Sequence, residues 1–429
     1  MTRTTSAAPT AHAFVGLREL LRMAHQGEDL RPLAEQLIEH LAANPSDAYA
    51  LMDLSLILQM TGKRPLAMAM QAEALQVRRL FQAPAAPGVR PRLRLLALMV
   101  PGDLMANAPL ECLLHGSDIA LDMLYLPPDQ PLPDALPDHD VLIVAAGESD
   151  RTRALLDALR EALAGWPRPV LNAPERVLQL SRDRAAQLLS PLPGVSMPPT
   201  RRAPRDVLGA IARGEAEVAA HLGAGGFPIL VRPLDSHAGR DLAKLDTPAA
   251  LAAYLSAHDD EEFYISCFVD YRNADGLFRK YRVVMLEGRT YVCHVGISDH
   301  WMIHYLNAGM TDSADKRAEE ADIMQRFDET FAVRHRDALE RIQACLGLDY
   351  FGLDCAETPG GDLLIFEADT CMVVHDLDPA DVFPYKQPQM RKVFAAFRTL
   401  LLNAATDSQR ARGAGDDARE SIPGGTPAR

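Results

Sequence analysis

The chain has 429 residues, enough for two or three domains that each bury a core. Its hydrophobic share of 48% and charged share of 24% are those of an ordinary globular protein. A net charge of −14 with no basic stripe excludes nucleic acid held by bulk electrostatics, and no apolar run nears the roughly 20 residues that span a bilayer.

Residues 1–13 are small and polar and read as disordered, without the apolar centre of a signal peptide. From Phe14 to about Phe81 the apolar period is helical throughout. Gly27 and Gly62 stand at equivalent turns 35 residues apart, close to the roughly 34-residue period of tetratricopeptide repeats. The stretch NPSDAYALMDLSLILQMTGKRPLAMAMQAEAL resembles one such repeat, so residues 14–85 read as a helical repeat module. Two helix pairs are few for a free-standing solenoid. The module is expected to dock on the body, either as plain packing or as a surface for a peptide or protein partner.

A Pro-rich linker, APAAPGVRPR, leads into residues 92–177. Apolar strands are expected at 93–100, near IALDMLYL and at 140–147, with helical patterns between and after them. That alternation predicts an open, largely parallel α/β sheet. Residues 178–405 change pattern: helices alternate with the strands FPILVRP, FYISCFVDY, FRKYRVVML and TYVCHVGIS. Residues 406–429, rich in Gly, Asp, Arg and Ser, read as a solvated tail. The six cysteines are scattered, with no zinc-like or C-x-x-C spacing, which fits a reducing cytoplasm.

The richest segment runs from Asp349 to His375. Two apolar runs flank Thr-Pro-Gly-Gly, a hairpin signal. With residues 358–361 as the loop, Glu357 faces Asp362 and Asp354 faces Ile365. Alternation then puts Asp354, Glu367 and Asp369 on one face. Leu363 to Phe366 are apolar on both faces, which predicts a buried strand. Three carboxylates at the end of such a strand repel one another unless a cation sits among them, and hard oxygen ligands without a Cys/His pair suggest Mg²⁺ brought in with nucleotide phosphates.

This order of elements resembles the ATP-grasp superfamily, in particular ligases of the glutathione-synthetase and ribosomal-protein-modification type. The resemblance covers about Leu93 to Leu402. It implies a mixed α/β and α+β fold: an ATP-grasp fold preceded by an open α/β (pre-ATP-grasp) domain and the N-terminal α-helical repeat module. FPILVRP and the loop after it match the family's phosphate-binding strand and small-residue loop, with Arg232 in place of the lysine and Ser236 and Gly239 in the loop. FYISCFVDY matches the hinge strand, which would set Cys267, Phe268 and Val269 at the adenine and Asp270 at the ribose. Cys267 stands where the family has an acidic residue. In FRKYRVVML, Arg282 takes the position that faces the reacting groups, and Lys280 replaces a usually acidic residue. His294 falls where a basic residue meets the γ-phosphate, and Asp183-Arg184 matches an Asp-Lys pair that opens the grasp, which offers Arg184 to phosphate. Asp354 and Glu367 match the metal-binding acids, and Asp369 stands where Asn is common.

The resemblance implies an ATP-dependent carboxylate–amine ligase that releases ADP and phosphate through an acyl phosphate, with ATP and Mg²⁺, or Mn²⁺ in its place, as cofactors. A small-molecule, amino-acid or peptide substrate is expected, with no nucleic acid and no membrane, and a homo-oligomer is compatible. Two other readings stand beside it: a phosphotransferase acting on a small molecule, and a nucleotide-binding adaptor whose chemistry has lapsed.

Overall fold

The computed structural model describes residues 12–128, 130, 132–133, 135–234, 236 and 239–420. Residues 1–11 and 421–429, read from the sequence as disordered ends, lie outside the described residues, as do Asp235, His237 and Ala238 of the expected phosphate loop. The described chain divides into two compact units. The first holds the residues up to Ala146, then Asp157–Ala173 and the residues from Phe394 on; the second holds Gly147–Leu156 and Pro174–Val393.

The first unit opens with four helices, α1 (Gly16–His25), α2 (Arg31–Ala43), α3 (Ala48–Met60) and α4 (Arg64–Val77). Gly27 and Gly62 follow α1 and α3 at φ of 73° and 76°, a left-handed turn that glycine makes without penalty. Helix α3 is mostly apolar and is buried from Ala50 to Leu58, around a core that includes Leu20, Leu37, Leu54, Ile57 and Ala67. Its Asp53, fully buried, accepts from the amides of Val15 at 2.8 Å and Gly16 at 2.9 Å. Glu111 accepts from the amide of Leu17 at 3.3 Å. These two carboxylates satisfy the unpaired amides at the start of α1, where Val15 offers no capping side chain. Burial pushes Glu111 up to about 7, with the Asp53 charge acting in the same direction.

Helix α4 ends at Val77, short of the expected Phe81, because Leu80–Ala83 forms an edge strand, β1. Phe81, itself fully buried, packs among the half-buried rings of Phe14, Tyr49 and Tyr125. Strand β1 pairs antiparallel with β3 (Ile119–Tyr125), and β2 (Leu93–Met99), β3, β4 (Val141–Val144) and β5 (Val170–Leu171) pair in parallel, giving the order β1-β3-β2-β4-β5. The helix Lys386–Glu420 extends through the start of the segment expected as a tail.

The second unit carries two sheets. One is antiparallel, in the order β7 (Thr200–Pro204), β10 (Glu262–Cys267), β8 (Ile229–Pro233), β9 (Ala243–Leu245). Helices Arg205–Ala212, Val218–Leu222 and Pro248–Ala257 contribute Leu208, Ile211, Leu222 and Leu251 to its core with Val231, Phe263 and Ile265. The other runs β12 (Arg289–Ser298), β11 (Phe278–Leu286), β13 (Tyr350–Glu357), β14 (Leu363–Asp369), β6 (Val195–Ser196), antiparallel except at β14–β6. The mixed α/β and α+β class expected from the sequence is the class observed.

Candidate active site

The hairpin of β13 and β14 departs twice from the expected register. Its loop is one residue longer, 358–362, closed by the Thr358 amide to the Asp362 carbonyl at 2.9 Å, so Glu357 faces Leu363 and Cys355 faces Ile365. Then Phe366 is an extra residue in β14, packed edge-on against Tyr271, and Asp354 comes opposite Glu367 instead of Ile365. Each shift alone would turn the β14 acids to the other side of the sheet. Together they cancel. Asp354, Glu367 and Asp369 share a face, with Gly352 opposite Asp369.

What surrounds those acids is cationic. Arg282, opposite Asp354 in the β11–β13 register, grips it in a fork: Nε to Oδ1 at 2.8 Å and a terminal nitrogen to Oδ2 at 3.0 Å. Lys280, two residues earlier on the same strand, reaches Oδ2 at 2.6 Å and the Ile303 carbonyl at 3.1 Å. Burial would raise Asp354, but Lys280 and Arg282 outweigh it and hold the carboxyl far below the usual range. Arg182, from the helix Arg182–Leu189, meets Glu367 at 2.5 Å. Arg232 on β8 of the other sheet is buried, with Nε donating to Ser236 Oγ at 2.9 Å. Burial, and after it the charge of Arg182, disfavour the Arg232 cation, while Glu367 favours it. Guanidinium does not give up its proton, so Arg232 stays a cation that calls for an anion. The cluster thus sets four cations, Arg182, Arg232, Lys280 and Arg282, against three carboxylates.

The acids do not serve a metal equally. Both oxygens of Asp354 are already in ion pairs, so it does not fit as a ligand. Glu367 and Asp369 do fit. They lie two residues apart on one face, and burial with the neighbouring Glu367 charge pushes Asp369 up to about 6, a repulsion that a divalent cation relieves. Among the described residues no three His, Cys, Asp or Glu side chains are grouped closely enough to hold a metal ion. The three-acid set expected from the sequence is therefore not assembled, because Lys280 and Arg282 draw Asp354 to themselves.

The other expected residues are scattered around this centre. His294 pairs across from Arg282 and its ring lies 4.4 Å from that of Tyr305. Burial, then the charges of Arg282 and Lys386, hold its imidazole well below the usual range, so it is neutral at pH 7. Gly239 has φ of 73°, and a Cβ there would lie 2.9 Å from Met302 Sδ. Cys267 ends β10 with its thiol toward the Ala224 carbonyl at 3.7 Å, and burial raises its pKa. The Phe268 amide is taken by the Pro228 carbonyl at 3.2 Å, and its ring carries Lys244 at 4.6 Å. Val269 is half-buried, and Asp270 is exposed and paired with Arg272 at 2.9 Å. Arg184 is exposed.

Arg182 and Lys386 were not singled out from the sequence. Arg182 precedes the buried Ala185, Ala186 and Leu189 by three, four and seven positions, the spacing of one helix face, whereas Arg184 falls on the opposite side. Lys386 is almost fully buried, 3.8 Å above the ring of Tyr305, beside Glu320 and Asp378. An isolated Lys in the sequence carries no mark of that setting.

No helix among the described residues is long and apolar enough to cross a membrane. No family model matches the chain, and no curated protein matches it. Among solved structures it resembles the RimK domain protein ATP-grasp from Sphaerobacter thermophilus DSM 20745, at 16% identity over 68% of this chain and 97% of that one, TM-score 0.39. It also resembles the D-alanine-D-alanine ligase from Coxiella burnetii, at 10% identity over 77% and 100%, TM-score 0.45. A third is the VanG D-Ala:D-Ser ligase from Enterococcus faecalis, at 14% identity over 72% and 99%, TM-score 0.42. At such identities and scores none of them carries an activity over to this chain.

Proposed function

We propose that the chain is an ATP-dependent carboxylate–amine ligase of the ATP-grasp type, which joins a carboxylic acid to an amine and releases ADP and phosphate. One observation carries the reading: cations from three separate elements, the helix Arg182–Leu189, β8 and β11, gather around the β13–β14 acids with one positive charge in excess. Buried like charges of that kind are relieved by an anion, and nucleotide phosphates provide one.

In this reading Arg182 and Arg232 bind phosphate oxygens, while Arg282 faces the acid. An oxygen of the acid attacks the γ-phosphorus, the bond to the ADP oxygen breaks, and an acyl phosphate forms. The amine nitrogen then attacks the carbonyl carbon, the carbon–oxygen bond to phosphate breaks, and the amine's surplus proton leaves with water. Arg282 and Lys280 offset the negative charge that develops on the acyl oxygens, which needs alignment and charge more than a covalent nucleophile. Glu367 and Asp369 would hold Mg²⁺, which supplies charge neutralisation at the phosphates when bound. The helical module of residues 14–85 offers a surface for a peptide or protein partner.

The test is product analysis by mass spectrometry after incubation with ATP, Mg²⁺ and a panel of amino acids and short peptides. The expected products are an amide, ADP and free phosphate, and Glu367→Ala abolishes them while circular dichroism is unchanged. A phosphorylated substrate without free phosphate overturns the reading in favour of a phosphotransferase; ATP binding with no ADP release across the panel favours a lapsed adaptor.

A further inference from the structure

The two oxygens of Asp354 present a problem for any metal site built on the β13–β14 hairpin. Three nitrogens lie within 3.0 Å of them: Lys280 Nζ at 2.6 Å, and two of the Arg282 guanidinium at 2.8 and 3.0 Å. The partners are not surface arms that swing away. Arg282 and Asp354 are register partners on adjacent strands, Lys280 lies on the same face two residues along, and only 3% of the Asp354 side chain is exposed. Lys280 is tied a second time, to the Ile303 carbonyl at 3.1 Å. One carboxylate between two cations leaves a local charge of +1, which repels a divalent cation. The β14 acids differ. Among the described residues, Glu367 is in contact with one arginine, Arg182, and Asp369 Oδ1 accepts the Cys371 amide at 2.9 Å.

We infer that Asp354 anchors a two-cation clamp formed by Lys280 and Arg282 and is not a ligand of the metal, which Glu367 and Asp369 hold without it. This rests on the ligase reading and narrows it: the metal belongs to β14 and the phosphates, and the clamp is a separate subsite for an anionic group of the substrate. The residue that makes the difference is Lys280. With an acid at that position Asp354 would lose its second cation, and three carboxylates would stand together. Sequence spacing alone cannot separate those two outcomes; the contact at 2.6 Å does.

The experiment titrates Mn²⁺ into the full chain with ATP present and reads free Mn²⁺ by electron paramagnetic resonance, with ATP affinity measured in parallel. Glu367→Gln and Asp369→Asn are expected to weaken Mn²⁺ binding about tenfold or more. Asp354→Asn leaves the Mn²⁺ Kd within about threefold of the parent while kcat for ATP turnover falls about tenfold, since the clamp is lost and the metal is kept. Asp354→Asn strands two cations, so the double variant Asp354→Asn/Lys280→Met, with one fewer buried cation, repeats the Mn²⁺ measurement in a better-balanced site. Lys280→Met alone tightens Mn²⁺ by freeing an Asp354 oxygen. If Asp354→Asn or the double variant weakens Mn²⁺ as much as Glu367→Gln does, the inference is overturned. A parent chain that binds ATP but no Mn²⁺ overturns it alone; one that binds neither overturns the ligase reading as well.

Discussion

Two arginines on one short helix give opposite expectations for ATP binding. Arg182 lies 2.5 Å from Glu367 and is 20% exposed; Arg184, two residues on, faces solvent. Arg182→Met keeps the length and apolar stem of the side chain but removes its charge and donors. A hydrogen bond to a charged group contributes about 1.5–3 kcal/mol, and about 1.4 kcal/mol is a factor of ten. The ATP Kd is therefore expected to rise roughly 10- to 150-fold. Arg184→Met, with no buried contact to lose, changes it by less than about twofold. Isothermal titration calorimetry on the full chain, with circular dichroism to check folding, measures both. Equal losses in the two variants, or an unchanged Kd in Arg182→Met, would refute the assignment of Arg182 to phosphate.

Glu111 makes the first unit sensitive to pH. Its folded pKa is raised to about 7 from an unfolded value near 4.5, so the stability it contributes is present below about pH 4.5 and is lost as pH rises through about 7. The loss approaches about 3 kcal/mol by pH 8, and Glu111→Gln should flatten the decline in thermal midpoint; an unaltered slope would count against it. Gly16→Ala meets two obstacles, φ of 79° and a Cβ that would overlap Glu111 Oε1. It should cost at least about 1–2 kcal/mol in denaturant unfolding, partly recovered by Gly16→Ala/Glu111→Ala, and a variant as stable as the parent would sink the argument. Glu320 is fully buried and accepts from the Val295 amide at 2.8 Å, Tyr305 at 2.8 Å and Tyr385 at 2.6 Å. Glu320→Ala strands these donors beside the buried Lys386 and should cost about 3–5 kcal/mol; a loss under about 1 kcal/mol would mean that water replaces the carboxylate.

Periodicity made the elements legible and contacts across strands did not show in it. The parallel strands β2, β3 and β4 fall where the apolar runs 93–100, IALDMLYL and 140–147 put them, because central strands of such a sheet are apolar on both faces. Strand β1 is hidden in the sequence because Leu80–Ala83 continues a helical apolar rhythm, while its ladder with β3 and the burial of Phe81 are set by the fold. The shared face of Asp354, Glu367 and Asp369 follows from alternation, yet the pairing beneath it does not: loop length and the Phe366 bulge each moved the register by one. Charge neighbours were the least legible. Lys280 stood out as a replaced residue, but that it would occupy Asp354 depends on side-chain reach across two strands.

Phe366 also bears on how this hairpin can change over generations. Point replacements along β14 alter side chains one at a time and leave the acids where they are. Loss of a single codon between Leu363 and Phe366 would remove the extra residue and leave Glu367 opposite Asp354 in a regular ladder. Gain of a codon there would instead carry Glu367 and Asp369 one place past Asp354 and turn them to the far side. Lineages that keep the chemistry are therefore free to shed this residue but not to add another.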